Sequence, residues 1–295
     1  MTLLTARPKI NLFLRILSRR ADGFHELDTL FLPLDQPCDL LELTPGPPGS
    51  GLTLTCSDPE LEGPDNLLAK AWRAFAQAAG RAPDLRLHLT KNIPCGAGLG
   101  GGSSDAASLL RFLNENAGDA TLPPERLAAL AVRLGADVPF FLLDGPARAR
   151  GIGDRLTPAR PDLTGLTLVL VCPPVRVPTA WAYGRFDEAA AQRRAPWAPG
   201  FLTRDPMGTK NPSSLLPLTL LNDFEDAVFP AFPEIRQAKE TLLAAGAAGA
   251  AMSGSGASVF ALFRQREQAL EVAGTLTRGQ TRTYVQDCNW GVAKR

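Results

Sequence analysis

The sequence lacks the patterns that mark a disulfide-rich, zinc-binding or membrane-spanning chain. Its five cysteines are scattered and odd in number, and no two form a C-x-x-C pair, which argues against a disulfide framework and a zinc site. No apolar run reaches the roughly 18 residues of a membrane span, and the N-terminus has no signal-like apolar core. We therefore expect a protein of the reducing cytoplasm with no targeting segment.

An excess of charge of either sign is also missing. The 31 basic and 30 acidic residues leave a net charge of +1, so nothing in the overall charge favours a nucleic acid or a membrane as partner. We expect a small-molecule ligand and a monomer or weak homodimer. A chain of 295 residues with 45% hydrophobic content is long enough for two lobes, which we predict at residues 1–157 and 158–295.

The order of periodic segments predicts an α+β protein. Residues 9–17 alternate apolar and other side chains, which indicates a strand with one face in the core and places Lys9 and Asn11 on the opposite face. Helical spacing follows at residues 65–80. The second lobe alternates strands and helices, as in a small sandwich. Residues 186–213 are polar, rich in proline and aperiodic, and we predict mainly a mobile loop there.

The segment "KNIPCGAGLGGGSSDAA", residues 91–107, contains five glycines between a predicted strand and a predicted helix. Glycine allows backbone N–H groups to approach an anion closely, and a helix N-terminus adds a positive dipole, so the order strand, loop, helix favours a phosphate site over a flexible turn. Ser103 or Ser104 is suited to cap the helix. Asp105 stays ambiguous, because an acid there would repel a triphosphate unless it faced away or met magnesium.

Other phosphate-loop interpretations fit less well. Gly96, Gly98 and Gly101 satisfy G-x-G-x-x-G, the dinucleotide fingerprint of dehydrogenases, but a second predicted helix follows where a strand ending in an acid is needed. The P-loop lysine is missing, since Ser103 directly follows Gly102. The HRD and DFG elements of protein kinases are not in the sequence.

The motif "PCGAGLGGGSSDAA" resembles the signature of the GHMP kinases. The segments "RPKINLFLRI", "DGFHELDTLF", "GADVPFF", "GIGDRL" and "MSGSGASVFALF" resemble, in the same order, those members that phosphorylate the 2-hydroxyl of a cytidine diphosphate-linked methylerythritol in the non-mevalonate route to isoprenoids. The resemblance implies a ribosomal-protein-S5-domain-2-like N-terminal lobe with a left-handed βαβ unit and a ferredoxin-like C-terminal lobe. It implies ATP as phosphate donor, with Mg²⁺ carried by ATP.

The resemblance also implies roles for individual residues. Lys9 and Asp137 match the catalytic lysine and aspartate, although by local sequence alone Asp137 is an ordinary turn residue and Lys9 a solvated strand residue. The ATP-binding residues implied by the glycine motif are Pro94, Gly96, Ala97, Gly98, Leu99, Gly100, Gly101, Gly102, Ser103 and Ser104.

Five further residues match substrate-binding positions: Asn11, Phe24, His25, Thr179 and Tyr183. Phe24 stands where tyrosine is commoner, which keeps an aromatic face for stacking and loses the phenol hydroxyl. Thr179 and Tyr183 are aligned through a variable region. Two alternatives stay open: a GHMP kinase with another alcohol substrate, and a nucleotide-binding regulator that has lost catalysis.

Overall fold

A computed structural model describes residues 1–192 and 220–288 of the chain. Contacts divide it into two compact units. The first contains Met1–Lys9, Leu17–Cys95 and Leu99–Pro158, and the second contains Ile10–Ile16, Gly96–Gly98 and the chain from Ala159 onward. The boundary predicted after Thr157 treats each lobe as one continuous stretch and stays a prediction. Among the helices described, none combines the length and the apolar character needed to cross a membrane.

Eight strands and three α-helices lie in residues 1–158. The strands are β1 (Thr2–Ala6), β2 (Lys9–Arg19), β3 (His25–Pro33), β4 (Asp39–Pro45), β5 (Leu52–Cys56), β6 (Leu85–Thr90), β7 (Ala147–Gly151) and β8 (Arg155–Pro158). The helices are α1 (Leu67–Ala79), α2 (Gly101–Glu115) and α3 (Pro124–Leu134). They build two four-stranded sheets, ordered β1-β4-β6-β5 and β2-β3-β7-β8.

The βαβ unit β5-α1-β6 supplies one edge of the first sheet, with β5 as the edge strand. Its two strands pair in parallel, whereas β4 pairs with β6 and with β1 in antiparallel register. The inward leucines of β4 and β6 pack with apolar residues of α1 and α2 in one core. The start and end of α1 follow the sequence: the Asn66 side chain caps its first turn, and Gly80 ends it in the left-handed region at φ 76°.

The prediction that β2 buries one face only is wrong. Lys9, Asn11 and Phe13 are as buried as the apolar residues between them, with exposures of 3%, 2% and 8%. A two-residue period reports which residues share a face but not how many faces are covered, so the sequence missed the second buried face. Lys9 is therefore a buried cation and not a solvated one.

The second unit contains an antiparallel sheet of ferredoxin-like type. Its strands are β9 (Thr167–Cys172), β10 (Gly249–Met252), β11 (Val259–Phe263) and β12 (Arg282–Asp287), in the order β10-β11-β9-β12. Its helices are α4 (Thr179–Gln192), α5 (Glu225–Val228), α6 (Pro233–Ala244) and α7 (Arg266–Leu276). The succession β9-α4, β10-β11, α7-β12 is the βαββαβ pattern, as predicted for this lobe.

The predicted mobile loop at residues 186–213 is wrong in its first part. Helix α4 continues to Gln192. The run Ala189–Ala191 has high helix propensity, and Arg185 pairs with Glu188 one turn later at 2.7 Å. Residues 193–213 lie outside the described residues.

Candidate active site

The first feature of the site is an ion pair between a buried lysine and a partly exposed aspartate. Lys9 Nζ lies 3.3 Å from Asp137 Oδ2, and the lysine side chain is buried whereas 32% of the Asp137 side chain is exposed to solvent. Lys9 Nζ also stands 4.9 Å from the centre of the Phe31 ring, a cation–π distance. A cation is thus fixed beside a carboxylate that a solute can reach.

The position of Asp137 follows from the end of α3. The Val138 N–H donates to the Gly135 carbonyl at 3.1 Å, which turns the chain directly after the helix. Asp137 then precedes the short 3₁₀ helix Val138–Leu142, whose Phe140 is buried 5.0 Å from the Phe31 ring. Aromatic packing on one side and the turn on the other hold the carboxylate at Lys9.

Gly153 of the "GIGDRL" motif borders the carboxylate, and sequence reasoning did not single it out. A Cβ on Gly153 would stand 3.9 Å from Asp137 Oδ1 and 3.9 Å from Phe31 Cζ. Its φ of +107° is a conformation that side chains rarely adopt. The glycine pattern of the motif was the available signal.

The glycine loop reaches the same ion pair. Gly96, Gly98 and Gly100 all have positive φ, at 67°, 73° and 71°. The Lys9 N–H donates to the Leu99 carbonyl at 2.9 Å, and a Cβ on Gly100 would stand 3.3 Å from Lys9 Cε. Within the first unit, the structure therefore brings Lys9, Asp137 and two residues of the loop together.

The predicted serine cap of α2 is wrong. The helix begins at Gly101 after Gly100, which supplies the left-handed turn, and no side chain caps it. Ser104 is the first residue to donate an intrahelical bond, to the Gly100 carbonyl at 2.9 Å. Glycine reaches the required turn without strain, so the helix starts sooner than a serine cap would allow. The N–H groups of residues 101–103 thus form the positive end of the helix.

The other loop residues differ in exposure. Gly96 and Gly102 are exposed, Pro94 and Ser103 are half-buried, and Ser104 is buried. The hydroxyl oxygen of Ser103 lies 3.9 Å from the point where a Cβ on Gly135 would stand, two residues before Asp137. Ala97 is buried as well. Their contact with ATP stays a prediction.

In the second unit, the glycine loop packs against the turn at residues 253–256. A Cβ on Gly98 would overlap the Ser253 carbonyl oxygen, so only glycine fits. Ser253 Oγ donates to the Gly98 carbonyl at 3.0 Å and accepts from the Asn11 N–H at 3.2 Å. One hydroxyl therefore ties the loop to Asn11.

Asn222 fixes that turn, and sequence reasoning missed it. Its Nδ2 donates to the carbonyls of Met252 and Gly254, both at 2.7 Å, and its Oδ1 accepts from the Phe224 N–H at 2.9 Å. The residue lies beyond the predicted loop at 186–213, in a stretch where the sequence shows no motif. Its neighbours bond to β2, with the Leu14 N–H donating to the Leu221 carbonyl at 2.8 Å.

The remaining predicted residues lie on two elements. Thr179 begins α4 and shares a hydrogen bond of 3.0 Å with the Ser255 hydroxyl, whereas the Tyr183 ring packs edge-on against Phe224 at 4.8 Å. In the first unit, Phe24 is 58% exposed and His25 is buried at the start of β3.

Phe24 and His25 are not adjacent to the Lys9–Asp137 ion pair. His25 precedes Phe31 by six residues in the extended strand β3, which corresponds to about 20 Å along the strand. Lys9 contacts Phe31. Phe24 and His25 thus lie at the start of β3, six residues before the position on that strand that contacts Lys9.

A second buried charge cluster lies beside the start of α2. Lys91 bonds to the carboxylates of Asp39 and Asp105, the latter at 3.0 Å. Burial raises the pKa of Asp105 to about 7; the Lys91 ammonium opposes this rise and the Asp39 charge adds to it. Asp105 is the fifth residue of the helix and faces Lys91, which answers the question that its sequence position left open.

We expect Asp105→Asn to gain stability relative to the wild type as the pH rises from 5 to 8. The folded protein keeps the Asp105 proton up to about pH 7, whereas the unfolded chain releases it near the ordinary value of 3.8. The native state binds more protons in this range, so wild-type stability falls as the pH rises. The difference at pH 8 should be on the order of a few kcal/mol.

Urea unfolding at pH 5, 6, 7 and 8 measures this difference. Asp144→Asn makes the same chemical change at an exposed carboxylate and should follow the wild type. A gap between Asp105→Asn and the wild type that is constant across the range would contradict the expectation.

Comparison with known families defines the class of protein. The family model described as "GHMP kinases N terminal domain" matches residues 66–145, and "GHMP kinases C terminal" matches residues 209–279. The mixed fold of the two units agrees with that family. The protein is therefore an ATP-dependent small-molecule kinase of the GHMP class, and the resemblance predicted from the motifs is confirmed.

Individual relatives narrow the class. A 4-diphosphocytidyl-2-C-methyl-D-erythritol kinase of Solidesulfovibrio magneticus is 50% identical over 286 residues, 96% of this chain and 96% of the relative. One of Nitratidesulfovibrio vulgaris is 48% identical over 94% and 95% of the two chains. A crystal structure of 4-(cytidine 5'-diphospho)-2C-methyl-D-erythritol kinase matches with a TM-score of 0.74 and 36% identity over 96% and 98%. The chain belongs to the 4-diphosphocytidyl-2-C-methyl-D-erythritol kinase family.

Proposed function

We propose that this kinase transfers the γ-phosphate of ATP to the 2-hydroxyl of 4-diphosphocytidyl-2-C-methyl-D-erythritol. The observation that carries the proposal is the Lys9–Asp137 pair, a buried ammonium 3.3 Å from a partly exposed carboxylate, beside a glycine loop that opens a helix. Phosphoryl transfer needs positioning, neutralisation of phosphate oxygens and an acceptor for the hydroxyl proton. The three parts of the site correspond to these three needs.

Asp137 is the proton acceptor of the proposed reaction. The 2-hydroxyl oxygen bonds to the γ-phosphorus, the bond from that phosphorus to the β–γ bridging oxygen breaks, and ADP leaves. The hydroxyl proton passes to the Asp137 carboxylate. Lys9 neutralises charge on the transferred phosphoryl group and favours loss of the hydroxyl proton.

The loop holds the ATP phosphates. Backbone N–H groups at the start of α2 donate to phosphate oxygens, and the helix dipole adds a positive field at the same place. Positive-φ glycines at 96, 98 and 100 let the backbone follow the phosphates. Ser103 and Ser104 are proposed as further ATP-binding residues.

Magnesium enters as part of the co-substrate, bound to the phosphates of ATP. Among residues 1–192 and 220–288, no three His, Cys, Asp or Glu side chains form a group suited to a metal ion. We assign no resident metal, and we propose that the enzyme works in the cytoplasm as a monomer or weak homodimer.

Phe24 and His25 recognise the cytosine end of the substrate, which is the end remote from the reacting hydroxyl. A molecule with a cytosine ring at one end and the tetritol at the other needs two separated contact regions, which the length of β3 supports. Phe24 offers an exposed ring for stacking, and His25 a polar edge. Asn11, Thr179 and Tyr183 complete the proposed set.

We expect Phe24→Ala to raise the KM for the cytidine substrate by about fivefold, the loss of one stacking contact worth roughly 1 kcal/mol, while the KM for ATP is unchanged. Because the ring is 58% exposed, its removal leaves the core intact. Phe24→Tyr keeps the aromatic face and should retain the wild-type KM. Steady-state kinetics with each substrate varied in turn decide the matter; equal changes in both KM values would contradict the assignment.

The function itself is tested by ADP release from purified protein with ATP, magnesium and the cytidine-linked substrate, coupled to NADH oxidation. Turnover with this substrate and none with homoserine or mevalonate supports the proposal, whereas preference for another alcohol indicates a different GHMP substrate. Binding of ATP without any turnover would indicate a regulator. Tighter binding of NAD than of ATP would contradict the kinase assignment.

A further inference from the structure

Three charged side chains beside the first turn of α2 take no part in the proposed reaction. Lys91 lies between the carboxylates of Asp39 and Asp105; both carboxylates are buried, and the Lys91 side chain is 9% exposed. Two carboxylates share one ammonium group, so the fully ionised cluster carries one net negative charge away from water. An uncompensated buried charge is costly, and a carboxyl group avoids that cost by binding a proton.

Hydrogen bonding decides which carboxyl group takes the proton. Asp39 Oδ1 accepts from the N–H groups of Asn92 and Ile93, at 2.6 and 2.8 Å, and its Oδ2 accepts from Lys91. Asp105 Oδ2 accepts from Lys91 only, and its buried Oδ1 has no hydrogen-bond partner within the described chain. Asp39 accepts three hydrogen bonds and Asp105 accepts one, so Asp105 is the carboxyl group that takes up the proton.

The neighbouring groups agree with this assignment. Lys91, from the loop after β6, favours the ionised form of Asp105, and Asp39, from β4, favours the acid. Cys56, at the end of β5, is the third titratable neighbour; burial raises the pKa of its thiol, which therefore stays neutral near pH 7.

We propose that Asp105 takes up a proton from solvent when ATP binds, which links nucleotide binding by this kinase to pH. The inference rests on the proposed phosphate site at residues 101–103. Lys91 Nζ lies 3.2 Å from the point where a Cβ on Gly101 would stand, so phosphates there bring negative charge close to the cluster. Negative charge nearby favours the neutral acid, and a protonated Asp105 leaves Lys91 to Asp39 and the phosphates.

Calorimetry of a non-hydrolysable ATP analogue with magnesium measures the coupling. Titrations at pH 7.5 in buffers of different ionisation enthalpy give the number of protons bound per nucleotide. We expect the wild type to take up about half a proton more than Asp105→Asn, and its Kd to rise about threefold to tenfold more between pH 7 and 8.5. Protonation of the analogue itself is common to both proteins and cancels.

Controls separate the inference from the function. Asp144→Asn, at an exposed carboxylate, should match the wild-type proton number. Equal proton uptake by the wild type and Asp105→Asn, with kinase activity intact, overturns the inference and leaves the function standing. Failure of the wild type to bind the analogue or to release ADP overturns both.

A second measurement needs no variant and covers the case in which Asp105→Asn does not fold. The infrared carbonyl band of a protonated carboxyl group should grow when the analogue is added to the wild type at pH 7.5. An unchanged band overturns the proposal.

Discussion

Replacing Asp137 by asparagine is expected to lower kcat by about 10²- to 10⁴-fold, the usual contribution of a positioned general base. The amide keeps the size of the side chain, so the turn after α3 and the packing of Phe140 on Phe31 persist. It cannot accept the hydroxyl proton at neutral pH, and it leaves Lys9 without its anionic partner at 3.3 Å. Substrate binding should be retained, because the lost interaction belongs to the transition state.

The matched control is again Asp144→Asn, which changes an exposed carboxylate paired with Arg111 and should keep the wild-type kcat. Steady-state kinetics and calorimetric titration of the cytidine substrate together separate catalysis from binding. Wild-type turnover by Asp137→Asn would show that another group accepts the proton.

Gly98→Ala is expected to lower activity by about a hundredfold or more, because a misplacement of reacting groups by about 1 Å lowers the rate by this factor. An added Cβ would overlap the Ser253 carbonyl oxygen, and the backbone φ of +73° is strained for alanine. The loop must shift away from the turn at 253–256, which breaks the Ser253 bond to the Gly98 carbonyl. The phosphate-binding amides shift with it, so the KM for ATP should rise.

Alanine substitutions at two other glycines serve as controls for the loss of activity expected in Gly98→Ala. Gly274 lies in α7 with open space around its Cβ position, so Gly274→Ala should retain full activity. Gly102→Ala meets only Leu67 at 3.5 Å and should cost far less than Gly98→Ala. Equal activities of the three variants, measured by ADP release and checked against thermal unfolding, would exclude the packing argument.

Some of the site was predictable because its signals are local. The glycine loop between a strand and a helix, the Asn66 cap and the Gly80 stop each depend on residues a few positions apart. The serine cap was wrong for a local reason as well, since Gly100 occupies the position before the helix at which Ser103 or Ser104 was expected. The roles of individual residues in binding and catalysis stay predictions.

Other parts were not predictable because they depend on residues distant in sequence. Alternation along β2 gave the direction of each side chain, but the burial of Lys9 comes from elements that the pattern does not contain. Asn222 gave no signal, because its three hydrogen bonds go to backbone groups and not to a motif. Hydrogen bonds from a side chain to backbone groups depend on where the folded backbone passes, and not on the identity of the residues that it meets.

The sequence by itself determined the family, the α+β fold class and the kind of chemistry, because motif order and periodicity are written in neighbouring residues. Tertiary structure alone decided which charges meet. It set Lys9 against Asp137, and it buried Asp105 beside Lys91, which also bonds to Asp39, and burial moves the pKa of Asp105 to about 7. Charge interactions depend on distance and on exclusion of water, and both are properties of the folded chain.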